Sequence, residues 1–122
     1  MNKKRSNIAA IYNQELSNLS EEFHLPFVHN EAEHSFQMYT VTINEEKRDE
    51  FVLFLRKLGI GASVHFDPPV HQQEYYRSIG WKTGMLPVTE LLSKRLVSLP
   101  IYPDMTNAEA EVVTSAISKF FK

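Results

Sequence analysis

The chain contains no cysteine. That excludes a disulfide framework, zinc–cysteine sites and thiol nucleophiles together, and it fits a reducing compartment. Glycine is scarce, with four in 122 residues. No phosphate-loop pattern, no G-x-G-x-x-G, no G-x-S-x-G and no H-E-x-x-H occurs. No run approaches the ~20 apolar residues that a membrane span requires. The basic start at Lys3, Lys4 and Arg5 is not followed by an apolar signal region, because Asn13, Gln14 and Glu15 interrupt it. Charge of one sign is lacking as well: 13 Lys and Arg stand against 15 Asp and Glu, for a net charge of −2. Nucleic acid is therefore not expected as the main partner, nor is a membrane, and the expected location is the cytoplasm.

What is present suits one globular domain over residues 1–122. The hydrophobic share is 43% and the charged share 23%, both ordinary values. Ser6 to Leu19 carries Ile8, Ile11, Tyr12, Leu16 and Leu19 at helical spacing. Pro26 and the polar stretch from Asn30 to His34 read as loop. Phe36 to Ile43 reads as a strand with Tyr39, Val41 and Ile43 on one face. Asn44 caps a helix with Glu45 and Glu46 in its first turn; Phe51, Val52, Leu55 and Leu58 form its stripe, and Gly59 closes it. Ala62 to Phe66 reads as a short strand ended by Asp67-Pro68-Pro69. Gln72 to Ile79 and Thr89 to Leu96 read as short helices, the second capped by Thr89. Val97 to Leu99 reads as another strand. Thr106 and Glu109 form a capping-box pattern before a last helix with Ala110, Val113, Ala116, Ile117 and Phe120 on one stripe. This order predicts an α+β domain, a small sheet packed by helices on one face.

The densest polar cluster runs from His65 to His71, followed by Glu74, Tyr75, Tyr76 and Arg77. Strand alternation aims His65 away from the core, and the two prolines stiffen the segment leading to His71. Four readings follow from these residue types. His65, Asp67 and His71 could ligate a metal, although their spacing matches no metal motif. Either histidine could serve as an acid or base, although no nucleophile accompanies it. The segment could be a ligand-contact loop whose imidazoles and phenols bond to hydroxyls or phosphate oxygens. Or it is a polar surface turn. In the second cluster, His34 to Tyr39, Phe36 and Met38 read as core. Trp81 in the loop after Gly80 reads as packing, with stacking on a planar ligand as the alternative.

Taken in order, the short motifs form a series. They are His34-Ser35-Phe36-Gln37-Met38-Tyr39, Arg48-Asp49-Glu50, Leu58-Gly59-Ile60, Val64-His65-Phe66 with Pro69 and His71, and Tyr75-Tyr76. Leu86-Pro87-Val88-Thr89-Glu90, Ser98-Leu99-Pro100-Ile101-Tyr102-Pro103 and Asp104-Met105-Thr106 complete it. The series resembles the C-terminal part of the DegT/DnrJ/EryC1/StrS family of sugar aminotransferases and covers nearly the whole chain. The resemblance implies the small domain of a fold-type-I enzyme, with a mostly antiparallel three-stranded sheet. It implies pyridoxal phosphate as the cofactor of the full-length enzyme, carrying an amino group, usually from glutamate, to a keto sugar on a nucleotide. The products of such enzymes serve polysaccharide, cell-surface glycan or antibiotic sugar biosynthesis. The Schiff-base lysine and the phosphate-binding residues belong to a large domain that would precede Met1, linked through the helix in residues 1–20. None of the eight lysines here stands at the catalytic position. The resemblance thus implies no catalytic and no cofactor-binding residue in this chain. It implies substrate contacts: His65 first, Phe66 and His71 next, then Tyr39. The implied partners are a nucleotide sugar, a large pyridoxal-phosphate-binding domain or full-length subunit, and a second copy met through Ile8, Ile11 and Tyr12 of the first helix. The alternative is a non-catalytic sugar-nucleotide-binding or protein-interaction module.

Overall fold

A computed structural model describes residues 2–28, 32–65 and 68–121 of the chain. Helix α1 spans Asn2–Leu16, followed by strands β1 (Phe23–His24) and β2 (Tyr39–Ile43) and helix α2 (Glu45–Lys57). A 3-10 turn at Val70–Gln72 precedes α3 (Glu74–Ser78) and α4 (Pro87–Ser93); β3 (Leu96–Leu99) and α5 (Asn107–Phe120) complete the chain. The three strands form one antiparallel sheet in the order β1-β2-β3, with Tyr39 opposite Leu99 and Phe23 opposite Ile43. The α+β architecture with a small antiparallel sheet is as the sequence predicts.

Alternation decides the layers. Tyr39, Val41 and Ile43 are buried on one face of β2, while Thr40 and Thr42 on the other are half-buried. The buried face meets the helices. Tyr12 of α1 lies edge-on to Tyr39 with ring centroids 4.9 Å apart, and its hydroxyl donates to the Pro100 carbonyl. Phe51 of α2 is fully buried among Phe23, Phe120 and Phe121, at centroid distances of 6.1, 5.1 and 5.9 Å. One ring thus joins β1, α2 and the end of α5.

The caps are those the sequence offers. Asn44 Oδ1 accepts the Glu46 N–H at 2.9 Å. Thr106 Oγ1 accepts the Glu109 N–H at 3.1 Å, and Glu109 reaches back to the Thr106 N–H, so two otherwise unpaired donors are satisfied. Helix α1 stops at Leu16 rather than Leu19 because Asn18 takes a left-handed φ of 56°.

Four expectations need correction. Met38 is not core but 48% exposed. The segment from Ala62 does not form a strand. It touches the sheet through one bridge, in which Ser63 and Ser98 exchange backbone bonds of 3.1 and 2.7 Å. The Ala62 carbonyl is taken by Arg56 Nε instead, and the prolines that follow cannot extend a ladder. The third strand is the two-residue β1, too short to show any period. Thr89 caps nothing: α4 begins at Pro87, where a missing N–H costs nothing, and Thr89 lies inside it. The stripe on α1 is not a free interface either. Ile8 and Tyr12 are core residues, exposed by 2% and 0%, and α1 packs along α5.

Truncating Phe51 to Ala removes the ring on which three elements converge. A loss of about 3–5 kcal/mol is expected in urea unfolding, against about 1 kcal/mol for Thr106→Ala, which removes one cap. Burial raises the Tyr12 and Tyr39 phenols well above their usual 10.0, with Tyr102 and Tyr39 adding to the effect at Tyr12. In the unfolded chain these phenols ionise near 10.0, whereas folded they stay neutral. Stability is therefore intact below that pH and falls as pH rises beyond it. Tyr39→Phe should flatten the alkaline limb of a stability–pH curve.

Candidate functional site

The segment between α2 and β3 builds a cavity of about 460 Å³. Its principal walls are His65, His71, Tyr76, Trp81, Leu86 and Leu92. Pro69, buried and extended, leads into the 3-10 turn that carries His71. Gln72 N–H donates to the Pro69 carbonyl at 2.9 Å, which closes the turn. Helix α3 then places Tyr76. At its end Gly80 takes a φ of 112°, a conformation that a side chain would strain, and the chain doubles back so that Trp81 N–H reaches the Tyr76 carbonyl at 3.0 Å. The loop returns through Gly84, with a φ of 96°, to Leu86 and Pro87.

Glu90 of α4 fastens this loop. Its Oε1 accepts Gly84 N–H at 2.8 Å and Gln72 Nε2 at 2.9 Å. Its Oε2 accepts Gly84 N–H at 2.9 Å, Leu86 N–H at 3.1 Å and His71 Nε2 at 3.0 Å. An ionised carboxylate only accepts, so His71 carries a proton on Nε2. The far end of α4 is held by Arg48, a buried α2 residue whose Nη1 donates to the Ser93 carbonyl at 2.7 Å.

The predicted site residues divide accordingly. His65 is exposed at the cavity, and His71 is buried in its wall. Phe66 lies outside the described residues, as does Asp67. Tyr39 is not brought to the cavity; it is fully buried against α1, with its hydroxyl donating to Asn13 Oδ1. Among the described residues no group of three His, Cys, Asp or Glu side chains could hold a metal ion. Sequence reasoning quoted Glu90 without giving it a role. Its signal was an acid in the first turn of a helix opened by proline, where free N–H groups collect.

A family model for the DegT/DnrJ/EryC1/StrS aminotransferase family matches residues 1–118. The chain belongs to this family. An uncharacterized protein of Methanocaldococcus jannaschii is 39% identical over 98% of the chain and 32% of its own length. The dTDP-3-amino-3,6-dideoxy-alpha-D-galactopyranose transaminase of Aneurinibacillus thermoaerophilus is 31% identical over 98% of the chain and 31% of its own length. Among solved structures, S. venezuelae DesV in complex with a ketimine intermediate superposes with a TM-score of 0.92 at 30% identity, covering 99% of this chain and 32% of that one. The chain thus spans about a third of the length of the relatives it matches.

The aminotransferase family implies pyridoxal phosphate, so the cavity can be tested for it. Among the described residues the lining holds no lysine and no carboxylate, and it is mainly aliphatic and aromatic. These residues do not fit a cofactor that needs a covalent amine and a phosphate cradle.

The Gly84 N–H, then His71, then the Leu86 N–H, hold the Glu90 carboxyl below its usual 4.5. A lowered folded value means that the stabilisation is present above 4.5 and is lost as pH falls through the folded value. Acid titration should loosen the loop between Gly80 and Leu86 in that range, read from the emission of Trp81, the sole tryptophan. Glu90→Gln should abolish this acid step.

Proposed function

We propose that this chain is the substrate-side small domain of a pyridoxal-phosphate-dependent aminotransferase acting on a keto sugar carried by a nucleotide. In this reading the cofactor and its lysine come from a large domain, and the chain alone does not transaminate. The observation that carries the reading is the cavity between α2 and β3, formed by the motif series that places the chain in the family. His65, exposed at its mouth, orients sugar or phosphate oxygens. Trp81 and Tyr76 offer faces for the apolar side of a sugar ring or for a base. His71, fixed by Glu90, shapes the wall. Phe66, two positions from Val64 on the same stretch, remains a proposed contact; Tyr39, buried against α1, is not one. Orientation of this kind can supply several kcal/mol of a barrier without proton transfer by the orienting groups.

The exposed surface supports a covering partner. Tyr75, Ile79, Met85 and Val88 are 67%, 59%, 52% and 68% exposed around α3 and α4, although the core beneath is complete. Apolar surface concentrated in this way favours association. The same feature supports the second reading, a non-catalytic sugar-nucleotide-binding or interaction module. A homodimer and a cytoplasmic setting belong to the proposal as well. No helix among the described residues is long and apolar enough to cross a membrane.

Titration of the purified chain with a dTDP- or UDP-linked sugar should shift the NMR resonances of His65, His71 and Trp81. His65→Ala should weaken binding by about threefold to tenfold, the worth of one hydrogen bond. An absence of shifts around His65 and His71 would defeat the reading as an independent binding module. Addition of pyridoxal phosphate should produce no stoichiometric absorbance band from a lysine adduct. Mixing with a large domain from a relative should restore transamination if the chain is an enzyme part, and should not if it is a binding module.

A further inference from the structure

The cavity wall from Gly80 to Leu86 has little of its own to hold it. Trp81, Met85 and Leu86 are 41%, 52% and 39% exposed, so burial fixes the loop weakly. Apart from those to Glu90, its bonds are few and several are long, among them Gly80 N–H to Arg77 at 3.3 Å, Trp81 N–H to Tyr76 at 3.0 Å, Met85 N–H to Lys82 at 3.3 Å and Gln72 Nε2 to Thr83 Oγ1 at 3.4 Å. Against this stands one carboxylate, 13% exposed, that receives four donors from two directions. Gly84 and Leu86 come from the loop, and Gln72 and His71 come from the 3-10 turn.

We propose that Glu90 is the positioning residue of this cavity: it joins its two walls and fixes the tautomer of His71 that the cavity presents. Glu90 does not line the cavity and acts through what it holds. The proposal rests on the reading above only for the identity of the occupant, a nucleotide-linked sugar. Three physical points support it. Donors that converge on a carboxylate leave no room for a proton, so the group works as an anion with all its acceptor positions used. Charge-assisted bonds of this kind are stronger than bonds between neutral groups. And a carboxylate bonded to His71 Nε2 excludes the tautomer protonated on Nδ1 alone, so Nε2 carries a proton whether the ring is neutral or cationic.

Glutamine at this position keeps the size and loses the chemistry. One end of its amide still accepts, but the other is an NH₂ group that must face donors. Glu90→Gln therefore separates charge and acceptor count from packing. In a ¹⁵N-labelled wild-type chain, the His71 ring should show the Nε2–H pattern, and the Gly84 amide should exchange slowly. In Glu90→Gln, the Gly84 amide should exchange at least about tenfold faster, as expected for the loss of a bond to a charged acceptor. The His71 ring should become a mixture of tautomers, and acrylamide should quench Trp81 more strongly. Amides of Val41 and Val97, in the sheet, should be unchanged, which shows that the variant is folded. Retention of both Gly84 protection and the His71 tautomer in Glu90→Gln would overturn the proposal. So would an Nδ1–H tautomer in the wild type, a measurement that needs no variant. A dTDP-linked sugar added to the wild type tests the other reading separately. If it shifts nothing in the cavity while the Glu90 effects appear, the occupant is wrong and the positioning role stands.

Discussion

Strand β2 has a neighbour on each side, and its alternation divides the molecule. Tyr39, Val41 and Ile43 turn toward α1, α2 and α5 and bury completely. Each such side chain contributes roughly 1.5–3 kcal/mol by leaving water. On the opposite face Thr40 pairs with Ser98 across the ladder, hydroxyl to hydroxyl at 3.2 Å. The site-bearing segment joins the sheet in its plane instead, at the outer edge of β3, where among the described residues one backbone bridge links Ser63 to Ser98. The helical layer is therefore held by hydrophobic burial. The segment from Gly61 to Lys94 is held largely by polar bonds at a few points.

Helix α4 shows how few points suffice. It has seven residues, and Val88, Leu91 and Leu92 are 68%, 46% and 38% exposed. A helix this short gains little from propensity and here gains little from burial. Its two ends are instead met by opposite charges, each of the sign that the helix dipole favours. Glu90 serves the unpaired N–H groups at the start, and Arg48 serves the Ser93 carbonyl at the end. Arg48 is itself anchored in α2, which packs on the core. The position of the cavity relative to the sheet is thereby transmitted through a guanidinium.

Much local chemistry acting over three or four residues was legible in the sequence, the misplaced Thr89 cap apart. The Asn44 cap, the Thr106–Glu109 box and the inward face of Tyr39–Ile43 follow from spacing alone. The failures share a cause. Ala62, Val64 and Phe66 alternate whether or not a partner strand lies alongside, and pairing is a tertiary fact. Phe23 and His24 form a strand because Thr42 and Ile43 are there, not because two residues have a period. The stripe Ile8, Tyr12 and Leu16 announces burial but not its counterpart; α5 from the same chain supplies it. In the site, His65 and His71 stood out as rare, reactive residues in one cluster. Glu90 was one acid among 15 Asp and Glu. Its significance depends on a loop whose glycines bring backbone N–H groups to it, and spacing does not report that.

The difference in exposure between the two faces bears on what the domain contributes. A surface shaped only by contact with a second domain would need no internal anchors of its own. Here a carboxylate, two positive-φ glycines and a buried histidine of the chain itself shape the cavity walls. Polar bonds within the chain thus fix those walls at a few points, and each such point lowers the ordering cost of binding. The apolar side chains around them remain exposed, as expected of a surface that a further domain covers. Preformed polar anchors beneath an uncovered apolar rim fit a domain that presents a shaped wall to a site completed elsewhere. They fit poorly with a domain that folds only when its partner arrives.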